Sequence, residues 1–165
     1  MTTAISTTTQ VHRVFIKAPA DRIWEAITDP AFNSRYGYGT PNHFELRPGG
    51  AFHVEASQAM IDHGASNPII DGEVLEVDPP RRLVQTWRAL FDPATAAEPA
   101  NRLTWEIDED PRLPGTCRLT ITHELEDAPV TAIQVAGDNP DAGGGWPFIL
   151  SDLKSYLETG SSLAQ

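Results

Sequence analysis

Between Gly37 and Leu125 the chain shows no helical period, and its clearest segments alternate apolar and polar side chains at every step. In Arg102–Asp108, Leu103, Trp105 and Ile107 share one face while Arg102, Thr104, Glu106 and Asp108 share the other. In Thr116–Leu125, Cys117, Leu119 and Ile121 point one way, Thr116, Arg118, Thr120 and Thr122 the other, and the same parity carries His123 to the apolar side. Half-buried antiparallel strands have this pattern, because each turns one face to a core and the other to water. Leu83–Trp87 is a third such segment, with Gln85 and Trp87 on the face of Leu83. Phe44–Leu46, Ala51–Val54 and Glu73–Val77 are shorter, and parity sets Glu73 with Leu75 and Val77 on the inner side. Pro48-Gly49-Gly50, Asp71-Gly72, Asp78-Pro79-Pro80 and Pro114-Gly115 punctuate the run as turns.

Helices are confined to the two ends. Val11–Ile16 is β-prone; Ala18-Pro19 then opens a helix with Ile23, Trp24 and Ile27 on one face, and Asp29 is placed to cap a second, short one carrying Phe32 and Tyr36. Near the C-terminus, Trp146, Ile149, Leu150, Leu153, Tyr156 and Leu157 recur on one helical face and Gly160 is a fitting stop. Ala89–Ala100 carries little pattern and is expected to be an exposed, flap-like connection. Pro129–Gly145 is ambiguous, and Gly143-Gly144-Gly145 lacks the Lys and Ser or Thr of a phosphate loop, so a hinge is expected there. The order is strand, helix pair, about six strands, one long helix: an α+β fold with helices on one side of an antiparallel sheet. A twisted sheet of about seven strands bends, and one helix across its concave face need not fill the space beneath it, so a cavity suited to a small hydrophobic ligand is expected.

The 165 residues are enough for one domain. Residues 1–10, Thr-rich and without period, are expected to form a flexible tail, 11–160 the domain, and 161–165 a second short tail. Twelve Lys and Arg stand against 23 Asp and Glu, a formal charge of -11, which disfavours nucleic acid and anionic membrane surfaces as partners. No apolar run approaches the length of a membrane span, and the opening MTTAISTTTQ has neither a basic end nor an apolar stretch, so a cytoplasmic location is expected. A single cysteine, Cys117, rules out an internal disulfide and is read as core; His12, His43, His53 and His63 form no ligand-spaced cluster, so neither metal nor cofactor is expected.

The segments APADRIWEAITDP (18–30), ELRPGGAF (45–52), GEVLEVDPPRRLVQTW (72–87) and GWPFILSDLKSYLE (145–158) resemble the helix-grip, START-like (SRPBCC) superfamily, which includes the pollen-allergen-like proteins. Within it they are similar to the branch of the activator of the heat-shock-protein ATPase, over about residues 11–158. The resemblance implies a β-α-α-β(6)-α grip, a curved antiparallel sheet wrapped around a long C-terminal helix and enclosing a hydrophobic cavity. It also implies a membership of lipid carriers, aromatic polyketide cyclases and co-chaperones.

Strand parity and the last helix then nominate the ligand pocket: Phe52, Glu73, Leu75, Gln85, Trp87, Leu103, Trp105, Leu119, Ile121, His123, Trp146, Ile149, Leu150 and Leu153. Trp87, Trp105, Trp146 and Phe52 offer wide apolar area with few rotamers, as a wall or as ordinary core. Glu73 and His123 are the polar intruders. An inward Glu73 needs a partner and would have its pKa raised by desolvation, and His123 is the candidate partner. Three functions follow. The first is a binding protein for a small lipid-like or aromatic molecule. The second is a cyclase, dehydratase or hydrolase with Glu73 and His123 as acid and base. The third is a co-chaperone-like module for an unknown protein partner. An open edge strand would also allow a homodimer.

Overall fold

The computed structural model describes residues 9–139 and 143–164. Seven strands form one antiparallel sheet in the order β1-β7-β6-β5-β4-β3-β2, where β1 is Thr9–Ile16, β2 Asn42–Phe44, β3 Ala51–Val54, β4 Ile70–Asp78, β5 Arg82–Ala89, β6 Asn101–Glu109 and β7 Cys117–Glu124. Helices α1 (Ala20–Thr28) and α2 (Pro30–Asn33) follow β1, and the last helix, α6 (Gly145–Thr159), packs against β1 and α1. This is the expected α+β helix-grip arrangement, with β1 and β2 as the two sheet edges.

The alternation in the sequence sets the inner face directly. Leu103, Trp105 and Ile107 of β6 pair with His123, Ile121 and Leu119 of β7, and all six are buried. Each such aliphatic side chain, fully buried, contributes about 1.5–3 kcal/mol. Asp29 caps α2 as expected, its carboxylate accepting from Ala31 N at 2.9 Å. Tyr36 lies beyond the end of α2, yet its hydroxyl reaches back to donate to Ala26 O at 2.8 Å.

Strand β4 departs from simple parity. A bulge falls between Val74, opposite Gln85, and Glu76, opposite Val84. The extra residue reverses the facing partway along the strand: Val77, opposite buried Leu83, keeps the inner side, but upstream of the bulge it is Val74 that is fully buried. Glu73 pairs with exposed Ala51 and is itself exposed, and Leu75 is half-buried, so the expectation of an inward Glu73 and Leu75 is corrected.

Three short helices occupy segments without sequence period. In α3 (Gln58–Asp62), Ser57 Oγ accepts from Met60 N. In α4 (Pro93–Ala96), Asp92 and Thr95 make a reciprocal capping box, with Thr95 fully buried. The eight residues of α5 (Pro129–Ala136) start on a proline and stop at Gly137. The expected loose flap at 89–100 is therefore anchored: Glu98 accepts from Val130 N, Thr131 N and Thr131 Oγ1 at 2.7–2.9 Å, capping the start of α5. Close packing accounts for the glycines at the start of α6, since a Cβ on Gly144 would stand 2.8 Å from Phe148 Cβ and one on Gly145 2.3 Å from Val135 O.

The tails differ from expectation as well. Thr9 and Gln10 belong to β1; residues 1–8, the rest of the expected N-terminal tail, lie outside the described residues, as does residue 165. Beyond Gly160 the chain docks on the fully buried Asp152, whose carboxylate accepts from Ser162 Oγ, Leu163 N and Gly37 N at 2.5–2.9 Å.

Candidate functional site

A cavity of about 750 Å³ lies between the inner face of the sheet and α6. Phe44, Phe52, Val54 and Ile70 line it from β2, β3 and β4, Trp87 and Trp105 from β5 and β6, and Trp146 and Ile149 from α6. Register explains the apolar wall: Phe44 faces Phe52, and Val54 faces Ile70 on the next strand, so each pair presents both side chains to the same side. Exposed Tyr38, His63, Gly64 and Asp92 stand among the lining residues and form a rim open to solvent.

The three indoles at its deep end form one locked cluster. Trp105 and Trp146 meet edge to face at 5.5 Å between ring centroids, Trp87 lies 6.2 Å from Trp146, and Trp87 and His123 meet edge to face at 5.0 Å. Behind the wall, Trp105 Nε1 donates to Gln85 Oε1 and Trp146 Nε1 to His123 Nδ1, each at 3.0 Å. His123 Nε2 faces Asn101 Oδ1. Because Nδ1 accepts, the ring proton sits on Nε2 and is donated to Asn101, so both nitrogens are committed. Burial, with a smaller contribution from the nearby His12 ring, pushes the His123 pKa down to about 3. His123 is therefore a neutral strut holding an indole.

Of the residues nominated from sequence, Phe52, Trp87, Trp105, Trp146 and Ile149 line the cavity. Gln85, Leu103, Leu119, Ile121, His123, Leu150 and Leu153 are buried in the core behind it, and neither Glu73 nor Leu75 reaches it. Glu73 is on the outer face and His123 on the inner one, so the two do not form the expected polar pair.

Tyr36, Tyr38, Thr40, Asn42 and Met60 belong to the wall and were not among the sequence candidates. Asn42 shares the face of Phe44, two residues on in β2, a parity that a three-residue strand is too short to reveal in sequence. The Tyr36 phenol is held well above its ordinary pKa by burial, with Tyr156 and Asp152 adding to the effect, and it remains a neutral hydroxyl. Tyr38 is raised in the same direction by partial burial. Among the described residues no cluster of His, Cys, Asp and Glu has the geometry of a metal site, and no helix is long and apolar enough to cross a membrane.

Comparison with known proteins agrees with this architecture. A family model described as "Activator of Hsp90 ATPase homolog 1-like protein" matches residues 17–158. The crystal structure of CalU16 from Micromonospora echinospora is 22% identical, with a TM-score of 0.64, covering 92% of this chain and 77% of that one. Protein MLL2253 from Mesorhizobium loti is 23% identical, with a TM-score of 0.67 and coverage of 91% and 96%. PFC0360w, described as an HSP90 activator from Plasmodium falciparum, is 18% identical, with a TM-score of 0.56 and coverage of 95% and 91%. At such identities the likeness carries the fold alone. No curated protein matches the chain.

Proposed function

The chain belongs to the Activator of Hsp90 ATPase homolog 1-like family, and from that premise we propose that it binds a small, mostly apolar molecule in the cavity between its sheet and α6. One observation carries the reading: about 750 Å³ of space, walled by aromatic and aliphatic side chains, stays open to solvent beside a packed apolar core. Space of this size is in the range that holds drug-sized ligands. The wall is also preformed. Two of its three indoles, Trp105 and Trp146, are fixed by hydrogen bonds on their far side, so a ligand entering it meets side chains already ordered, and little conformational entropy is lost on binding.

The enzymatic alternative relied on an acid and a base that the fold sets on opposite faces of the sheet. His123, with both ring nitrogens engaged, has no proton to exchange with a ligand. The co-chaperone alternative draws on the family's description and on that of one neighbour, which shares the fold at 18% identity.

Thermal unfolding in the presence of uncharged aromatic compounds and of fatty acids tests the proposal. A ligand at a hundred times its Kd stabilises the folded state by about 2.7 kcal/mol, which for a domain of this size raises Tm by roughly 5–10 °C. Ile149→Trp, which sets a larger ring into the cavity from α6, should diminish that rise while leaving the unliganded protein folded. Equal shifts in the wild type and in folded Ile149→Trp would place binding elsewhere and refute the proposal.

A further inference from the structure

The lining of the cavity is almost free of charged or chargeable side chains, with His63 and Asp92 at its rim. None of the chain's 12 Lys and Arg residues lines it, and the single carboxylate among the described lining residues is that of Asp92, at the rim. That carboxylate is itself engaged, accepting from Thr95 N at 2.8 Å and from Gln134 Nε2 at 3.4 Å. A carboxylate or phosphate entering the apolar wall would lose its hydration with no cation to replace it, inside a protein whose net charge is already -11.

Neutral hydrogen-bonding groups, by contrast, are available. Every fully enclosed polar side-chain atom among the described residues has a partner. Among the described residues the indole N–H of Trp87 donates to no group, unlike those of Trp105 and Trp146. It is therefore accessible, and for a ring only 4% exposed that lines the cavity, the accessible space is the cavity. The hydroxyl of Thr40 and the carboxamide of Asn42 likewise make no side-chain bond within the described chain, and both residues belong to the lining. The Trp87 ring lies 6.2 Å from that of Trp146, so the donor belongs to an aromatic wall against which a flat ring system can pack.

Building on the binding role proposed above, we infer that the cavity selects uncharged ligands bearing a hydrogen-bond acceptor, which the Trp87 indole N–H engages, and rejects carboxylates and phosphates. Trp87 is then the specificity-determining residue of the site.

Three probes with one ring frame test it: fluorenone, which carries a carbonyl; fluorene, which lacks it; and fluorenone carboxylate, which adds a charge. Their affinities are measured by calorimetry and equilibrium dialysis on the wild type and on Trp87→Phe, which keeps an aromatic ring and removes the donor. Fluorenone should bind about fivefold to tenfold more tightly than fluorene, the worth of one net hydrogen bond. The carboxylate should bind at least about tenfold more weakly than fluorenone, because its charge is desolvated without a partner. In Trp87→Phe both probes lose the contact of the missing ring, but fluorenone should lose more, so that its advantage over fluorene disappears. If that variant does not fold, Trp87→Tyr takes its place for the role of the N–H, and the three affinities on the wild type decide the selectivity. Carboxylate binding as tight as fluorenone, or equal affinity for fluorene and fluorenone, would overturn the inference while leaving a binding cavity. Equal weakening of fluorene and fluorenone in Trp87→Phe would overturn the role of the N–H. Absence of binding by all three probes would remove the cavity's binding role and the inference with it.

Discussion

Acid should loosen this protein through one buried ring. His123 is fully buried, accepts from Trp146 Nε1 on Nδ1 and faces Asn101 on Nε2, and its pKa is pushed down to about 3 from an ordinary value near 6.5. A proton on Nδ1 would point at the indole N–H it now accepts from, so the folded state resists protonation that the unfolded chain accepts freely. The unfolded state then binds more protons than the folded one below about pH 6.5, and stability falls as pH drops from there toward 3, at up to about 1.4 kcal/mol per pH unit. Between about pH 7.5 and about pH 5 this one group removes roughly 2 kcal/mol. The ordinary carboxylates titrate at lower pH, so the window belongs to histidines. His12, also lowered by burial, adds to the slope with the same sign. Urea unfolding followed by tryptophan fluorescence across this range, on the wild type and on His123→Asn, separates the two. The asparagine carbonyl can keep the bond from Trp146 but cannot titrate. The variant should be less stable throughout and should lose most of the wild-type slope. A slope unchanged in His123→Asn, or a wild type equally stable at both ends of the window, would refute the reasoning.

Two further substitutions probe the polar ties. Asp152→Ala removes the acceptor shared by Gly37 N, Ser162 Oγ and Leu163 N; it should cost about 3 kcal/mol in urea unfolding and expose the segment after Gly160 to proteolysis, and a variant as protease-resistant as the wild type would contradict this. Glu98→Ala uncaps α5 and should cost about 1–2 kcal/mol, raising amide exchange in α5 but not in β6 and β7; exchange unchanged in α5 would show that the tie is idle.

The parts of the fold that could be read from sequence are those where one physical rule acts alone. In β6 and β7 the inward positions Leu103, Trp105 and Ile107 and Cys117, Leu119 and Ile121 are all apolar, so period-two alternation reveals the facing of each strand. In α6 the face of Trp146, Leu150, Leu153 and Leu157 repeats over about three turns, and the helix stops at Gly160, whose φ of 80° suits glycine. Strand β4 defeated parity because a bulge adds one residue without altering the composition, which is why Glu73 and Leu75 were set inward and Val74 was not. The helices α3, α4 and α5 are too short to show a period, although Asp92 with Pro93, and Pro129 with Gly137, are end signals that local reading could have used. At the site, the aromatic wall was legible because rings on inner strand faces have nowhere else to go. Whether Gln85 and His123 stand in the wall or behind it was not legible, since both positions lie on the same face and differ only in what the neighbouring indoles cover. Thr40 and Asn42 were missed because the approach to β2 carries no pattern at all.

The hydrogen bonds behind Trp105 and Trp146 have a consequence for how this pocket can change. The groups that keep those rings in place, Gln85, His123 and Asn101, never touch whatever occupies the space in front of them. Phe52, Val54 and Ile149 can therefore be exchanged for larger or smaller side chains, recutting the outline of the hollow, without dislodging the deep end. A scaffold divided in this way lets its choice of guest drift by single substitutions while its frame stands still.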